Sequence, residues 1–238
     1  MAITAAHLIT DIRNIASSGG NPNEFKVSDR QILYWVEQTR AVLISQSLNK
    51  RDDINDSWLQ FISCVEMEQV EDTDCCLVDS DCYLLRSVLQ IPSTIDTWKD
   101  NSIVSVTTAG GESIPKSNHI KQRYQKYNKY TSKTWGWYLK DDYLYVINDQ
   151  NLNYLTISGL FEFPSDLEGF VQCDGQSCWS YNSNYPISLN LATQITDIVL
   201  KTKINPFLSL PMDNSNNADG STPQQTIQNK QANTNSNQ

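Results

Sequence analysis

Six cysteines carry the strongest hint of site chemistry in this chain, and their spacing is uneven. Cys75, Cys76 and Cys82 stand close together, while Cys173 and Cys178 come much later, in the run CDGQSC. Four sulfurs from these two groups could converge on zinc, which takes four thiolate or imidazole ligands in structural sites. The C-x4-C spacing is wide for that purpose, and CC-x5-C is not a usual half-site. The simpler reading is half-buried thiols, since cysteine packs as a small apolar side chain. The opening MAITAAHLITDIRN has no basic stretch and meets a charge at Asp11, so no export signal is expected. The thiols are accordingly expected to be unbridged.

Acid–base and nucleophilic chemistry find less to work with. His7 and His119 are the only histidines, and neither stands beside a Ser or Cys nucleophile motif. No GxxxxGK[ST] or GxGxxG run is present to cradle a phosphate. Paired carboxylates are common in any acidic chain and single out nothing. The acidic run EDTDCCLVDSD reads as a solvated loop. DNSNNADG has the composition of a calcium loop, but Gly220 falls two places late for the EF-hand pattern. No catalytic, cofactor-binding or metal residue is assigned, and the expectation is a protein that is not an enzyme.

Charge is distributed more tellingly. The chain carries 27 acidic and 18 basic residues, which argues against a general nucleic-acid binder. Yet no acid occurs between Glu112 and Asp141. That window holds Lys116, Lys121, Arg123, Lys126, Lys129, Lys133 and Lys140, interleaved with Tyr124, Tyr127 and Tyr130. Cations among aromatics suit nucleic acid. They suit an acidic protein surface equally well. A chain with one basic patch and an acidic remainder can pair head to side with its own copies, and such contacts close into rings when the rotation allows. Lys121, Arg123 and Lys126, at the centre of the window, are the candidate partner-binding cations.

The elements that must hold this window in place follow from periodicity. Leu8, Ile12 and Ile15 recur at helical spacing over 3–17, with Thr4 as N-cap and Gly19-Gly20 as stop. A second helix opens at Ser28, with Gln31 completing a capping box and Val27 and Ile32 a hydrophobic staple. From Trp58 the period falls to two. FISCVEMEQV, YLLRSVLQIP and YLTISGLFEF read as strands. IVSVTTAGGESI and WGWYLKDDYLYVIN read as hairpins, with short helical turns near 118–129 and 165–170. A third helix runs from about Ser188 to Lys203 and is expected to end at Asn205-Pro206. No run of about 18 apolar residues exists to cross a membrane as a helix.

The expected fold is therefore α+β: a bundle of three main helices from 1–56 and 185–211, a β-rich insert over 57–184, and an extended C-terminal tail over 212–238. After Met212 the tail has only Ile227 as a large apolar side chain, so it cannot offset its own ordering entropy. The expectation is a docking strap ordered on partners, with Met212, Asp213, Asn214, Asn216, Asn217 and Ile227 as its contact residues.

The stretches SDRQILYWVEQTRAVLISQ, LLRSVLQIP, TISGLFEFPSDL, NYPISLNLATQITDIVL and DNSNNA together resemble head-to-tail adaptor proteins of tailed bacteriophages. In particular they are similar to neck ring proteins of crAss-like short-tailed phages, over most of the chain. The resemblance implies a structural virion protein of the neck and tail, assembled in the host bacterial cytoplasm. It implies a ring, commonly of twelve copies, that joins the portal protein to the tail. Its other implied partners are further neck or tail ring proteins and genomic DNA in the channel, with no membrane contact. A nucleic-acid-binding module using 116–140 and a zinc-stabilised domain remain as alternatives from the residues alone.

Overall fold

A computed structural model describes residues 3–17, 27–50, 53–70, 84–97, 102–118, 130, 134–147 and 152–208. Helix α1 spans Ala5–Ala16, and the Thr4 hydroxyl accepts from the His7 N–H at 3.2 Å, as its position before the apolar run predicts. Leu8, Ile9 and Ile12 are buried. Ile15, expected on the same stripe, is 55% exposed, because it lies at the margin of that face and in the last turn. Helix α2 spans Asp29–Asn49, with the Ser28 hydroxyl accepting from the Gln31 N–H. Its 21 residues make a rod of about 30 Å.

Helix α3 spans Leu189–Val199, capped by Ser188 on the Leu191 N–H. Its end corrects the sequence reading. The chain does not stop at Asn205-Pro206 but widens into a π turn over Leu200–Ile204 and continues as α4, Asn205–Leu208. In a plain α-helix the Pro206 ring would strike the carbonyl four residues back and leave it without a donor. The π turn changes the spacing: the Asn205 N–H donates to the Leu200 carbonyl, five residues earlier.

Between α2 and α3 the described residues form seven strands: β1 Gln60–Gln69, β2 Leu84–Ser87, β3 Ile103–Thr108, β4 Ser113–Ile114, β5 Gly136–Lys140, β6 Tyr143–Ile147 and β7 Tyr154–Gly159. The strands pair antiparallel in the order β4-β3-β7-β1-β2-β6-β5, and the bridge that joins the two edges is parallel. The sheet curls until its edges meet. Lys116, just past β4, bridges to Trp137 in β5; Ser117 N–H donates to the Trp137 carbonyl at 2.7 Å and Trp137 N–H to the Pro115 carbonyl at 3.1 Å. A nearly closed barrel leaves few unpaired strand groups for stray pairing.

Both expected hairpins form. The β3–β4 loop places Gly111 at φ +83°, where a side chain would be strained. The β5–β6 turn uses Asp141 and Asp142, both left-handed, in the two-residue geometry whose twist suits adjoining strands. In β1, Ile62 pairs with Ile157 and Val65 with Leu155, so Ser63 and Cys64 together oppose Thr156. This bulge keeps Ile62 and Val65 both facing the interior, with Cys64 at φ +57°. Helices α1, α2 and α3 touch one another, and their apolar sides enter one continuous core with the barrel interior, from Ile12, Ile32 and Ile195 to Ile62, Val106 and Leu144.

Candidate assembly interface

What fixes the barrel to the helices also decides which surfaces are left for partners. Arg40, on the buried side of α2, is fully buried and donates to four oxygens. Its Nε meets the Pro186 carbonyl at 3.0 Å, Nη1 the Phe161 carbonyl at 2.8 Å, and Nη2 the Trp58 carbonyl at 3.2 Å and Gln60 Oε1 at 3.4 Å. One guanidinium thus ties α2 to the approach to α3, the exit of β7 and the start of β1. Burial lowers its pKa to about 10, opposed by Tyr185 and Glu37, so it remains charged at neutral pH.

Glu37, one turn earlier, does a related job. The 3-10 helix Pro164–Gly169 follows Phe163, which has no side-chain acceptor to cap it. Glu37 supplies the acceptors from across the interface, taking the Ser165 N–H at 2.8 Å and the Ser165 hydroxyl at 2.9 Å. Burial raises its pKa to about 7 against the lowering effect of those two bonds, with Asp166 adding to the rise and Arg40 opposing it. The Tyr185 phenol, pushed upward by burial, completes this buried polar cluster. Glu37 and Arg40 are both buried, and their hydrogen bonds hold the layers together. The sequence reading passed over Arg40 and Glu37. The signal was there: both stand at helical spacing within the stripe of Leu33, Val36 and Ile44, where a charge has to be paired.

The basic window hangs on the seam of the barrel. Its described ends are Lys116–Asn118 on one side, where the seam closes, and Thr134–Lys140 on the other, running into β5. The Lys116 ammonium lies 5.3 Å from the centre of the Trp137 ring. Tyr130, within the window, is 88% exposed. Lys121, Arg123 and Lys126 lie outside the described residues, as do Met212, Asp213, Asn214, Asn216, Asn217 and Ile227 of the tail. The structure therefore places the window's two roots.

Elsewhere the described surface offers an acidic counterpart. The Glu162 carboxyl is raised by partial burial and by Asp96 and Asp166 nearby, and Asp166 is itself raised by partial burial. Three acids from the stretch before β3 and the segment after β7 thus share one region. Exposed apolar side chains lie separately on the barrel wall, with Phe61 at 57% and Val104 at 47%.

The cysteines depart from expectation. Cys64 and Cys173 form a disulfide, with Cα atoms 5.3 Å apart across 109 residues of sequence. This corrects the reading of unbridged thiols: the bulge at Ser63-Cys64 turns Cys64 away from the interior and onto the hairpin that carries Cys173. It also removes Cys173 from any zinc set. Cys178 is a free, half-buried thiol, and Cys75, Cys76 and Cys82 lie outside the described residues. His7 is exposed in the first turn of α1. No helix among the described residues is long and apolar enough to cross a membrane.

Comparison with known families identifies this arrangement. The profile of the crAss ring family described as phage tail ring protein 2 matches residues 7–230, which takes in every element above except the first two residues of α1. No curated protein matches the chain. With nearly its whole length covered, the chain belongs to the phage tail ring protein 2 family, structural bacteriophage tail proteins that assemble as rings.

Proposed function

We propose that this chain forms a ring, of twelve copies, in the phage neck that connects the portal protein to the tail, without catalysis. The observation that carries the reading is the mounting of the basic window on a barrel whose edges are already joined. With the sheet edges bridged at Lys116 and Trp137, subunits have less scope to associate by adding strands, so contacts fall to side chains and to segments hung from the frame. The window roots at the seam, and the Asp96, Glu162 and Asp166 region is acidic surface that a neighbouring copy or the portal can match in kind. Residues 1–56 and 185–211 serve as the adaptor core, 57–184 as the insert that presents the window, and 212–238 as a strap laid on a neighbouring ring component.

One specific observation favours a second reading. Tyr130 is almost wholly exposed and stands between Lys129 and Lys133 in the sequence, and aromatics interleaved with cations suit stacking on single-stranded nucleic acid. On that reading the window faces genomic DNA in the channel. Native mass spectrometry of the chain alone and with its portal tests the first proposal. A discrete multimer, alone or only on the portal, supports it; a monomer under both conditions refutes it. Strong salt-dependent binding to DNA by that monomer would favour the second.

A further inference from the structure

Three cysteines stand where the hairpin over 170–178 lies against the β1 bulge. The hairpin is built locally: Gln172 N–H donates to the Gln176 carbonyl at 2.7 Å and Cys178 N–H to the Phe170 carbonyl at 2.8 Å. Its tip turns at Gly175, φ +85°, with the Gln176 N–H on Asp174 Oδ1 at 2.9 Å. Cys173 therefore sits at the tip and Cys178 at the base. Both touch the same short piece of β1. Cys173 is bonded to Cys64, and the Cys178 sulfur accepts the backbone N–H of Ser63, the residue before Cys64.

We infer that the three sulfurs form an exchange unit, in which Cys178 attacks the Cys64–Cys173 bridge and becomes the new partner of Cys64. Cys178 gives its proton to solvent, and its thiolate attacks Cys64 Sγ. The Cys64–Cys173 bond breaks, and Cys173 leaves as a thiolate that water protonates. One S–S bond forms as another breaks, so no electron is gained or lost and no outside oxidant is consumed. Cys173 is exposed, so its thiolate leaves into water, and an exposed bridge is the kind that exchanges readily. The two bridges also close nearly equal loops, 109 residues for Cys64–Cys173 and 178 − 64 = 114 for Cys64–Cys178, so loop entropy favours neither. Partial burial and Asp174 both hold the Cys178 thiol above its ordinary range, which makes the exchange slow at neutral pH and faster in alkali. The outcome is a hairpin pinned at its base with its tip released from the barrel wall.

The full-length protein is incubated at a series of pH values from 6 to 9 without added reductant, quenched in acid, alkylated and mapped by mass spectrometry. A peptide pair joining Cys64 to Cys178, with Cys173 alkylated, is expected to appear at a rate that rises about tenfold per pH unit. Cys178→Ser is expected to keep Cys64–Cys173 unchanged at every pH. Cys173→Ser, refolded with oxidised glutathione, is expected to join Cys64 to Cys178 rather than to glutathione. Absence of the Cys64–Cys178 pair from the wild-type series overturns the inference whatever the variants do, and a Cys64 bridge to any other cysteine overturns it equally. If Cys173→Ser does not fold, the wild-type series decides alone.

Discussion

Replacing Arg40 with Met tests whether one buried guanidinium joins the helices to the barrel. Met keeps much of the length and packs well, so lost volume is a small part of the effect. What is lost is the donor set: three carbonyls, of Trp58, Phe161 and Pro186, and Gln60 Oε1 lose their shared partner. A buried acceptor left unsatisfied costs about 1–3 kcal/mol, and some of these four will relax or find water. Glu37 also loses the neighbouring positive charge. Breaking a buried charged contact by removing one partner costs about 3–5 kcal/mol, and that is the expected loss. For a domain of this size it corresponds to a fall in Tm of about 6–20 °C. Urea unfolding followed by tryptophan fluorescence, together with thermal melts, measures it. Arg40→Lys should recover only a minority of the loss, because one ammonium cannot reach carbonyls on three segments at once. A Met variant within about 1 kcal/mol of the wild type would show that the carbonyls do not need this donor, and the argument would fail.

Other outcomes follow from the same frame. Glu37 has its pKa raised from 4.5 to about 7 in the folded state, so folding takes up a proton there. Its contribution to stability is full below pH 4.5 and falls as pH rises through 7, by about 3 kcal/mol; urea midpoints from pH 5 to 8 should show this slope, and Glu37→Gln should flatten it. Cys64→Ser opens a bridge spanning 109 residues and should cost about 2–5 kcal/mol in urea unfolding, where no change would deny the bridge. Reversing Lys121, Arg123 and Lys126 to Glu together should block particle assembly while leaving the melting temperature of the monomer in place; normal assembly with only DNA affinity lost would favour the nucleic-acid reading. Deleting 212–238 should leave the melting temperature almost unchanged and weaken incorporation into the neck, and an unfolded truncation would place the tail in the core.

What the sequence made legible was local. Thr4 and Ser28 each cap the helix they precede, because a cap is decided by four consecutive residues. The turns at Gly111 and at Asp141-Asp142 were readable for the same reason. FISCVEMEQV reads as a strand from its alternation, and Val65 and Met67 are indeed buried on either side of exposed Glu66. The features missed all depend on partners far away in the chain. Lys116 meets Trp137 only once the sheet has curled, and Cys64 meets Cys173 only because a bulge faces a later hairpin. Arg40 looked like one more polar residue until the carbonyls of Trp58, Phe161 and Pro186 converged on it. The π turn is an intermediate case: Pro206 was rightly read as incompatible with a plain α-helix, but the chain answered with a wider turn instead of a stop.

These same features bear on how a ring subunit of this kind can be specific for its neighbours. A frame cross-tied by Arg40, Glu37 and a disulfide, with its sheet edges joined at Lys116 and Trp137, is stiff, and its core residues are committed internally. Stiffness lowers the ordering cost of assembly, since little of the frame has to change shape to bind. It also means that partner choice rests on what the frame presents at its surface. The described ends of the basic window stand at the seam itself, so where it leaves the barrel is set by the two strands whose meeting closes it. A substitution that opens the seam, such as one at Trp137, should then displace the window before it unfolds the helices. That order is testable, because loss of ring formation should precede loss of the helical signal as such a variant is warmed, and coincident loss would mean that seam and helices fold as a single unit.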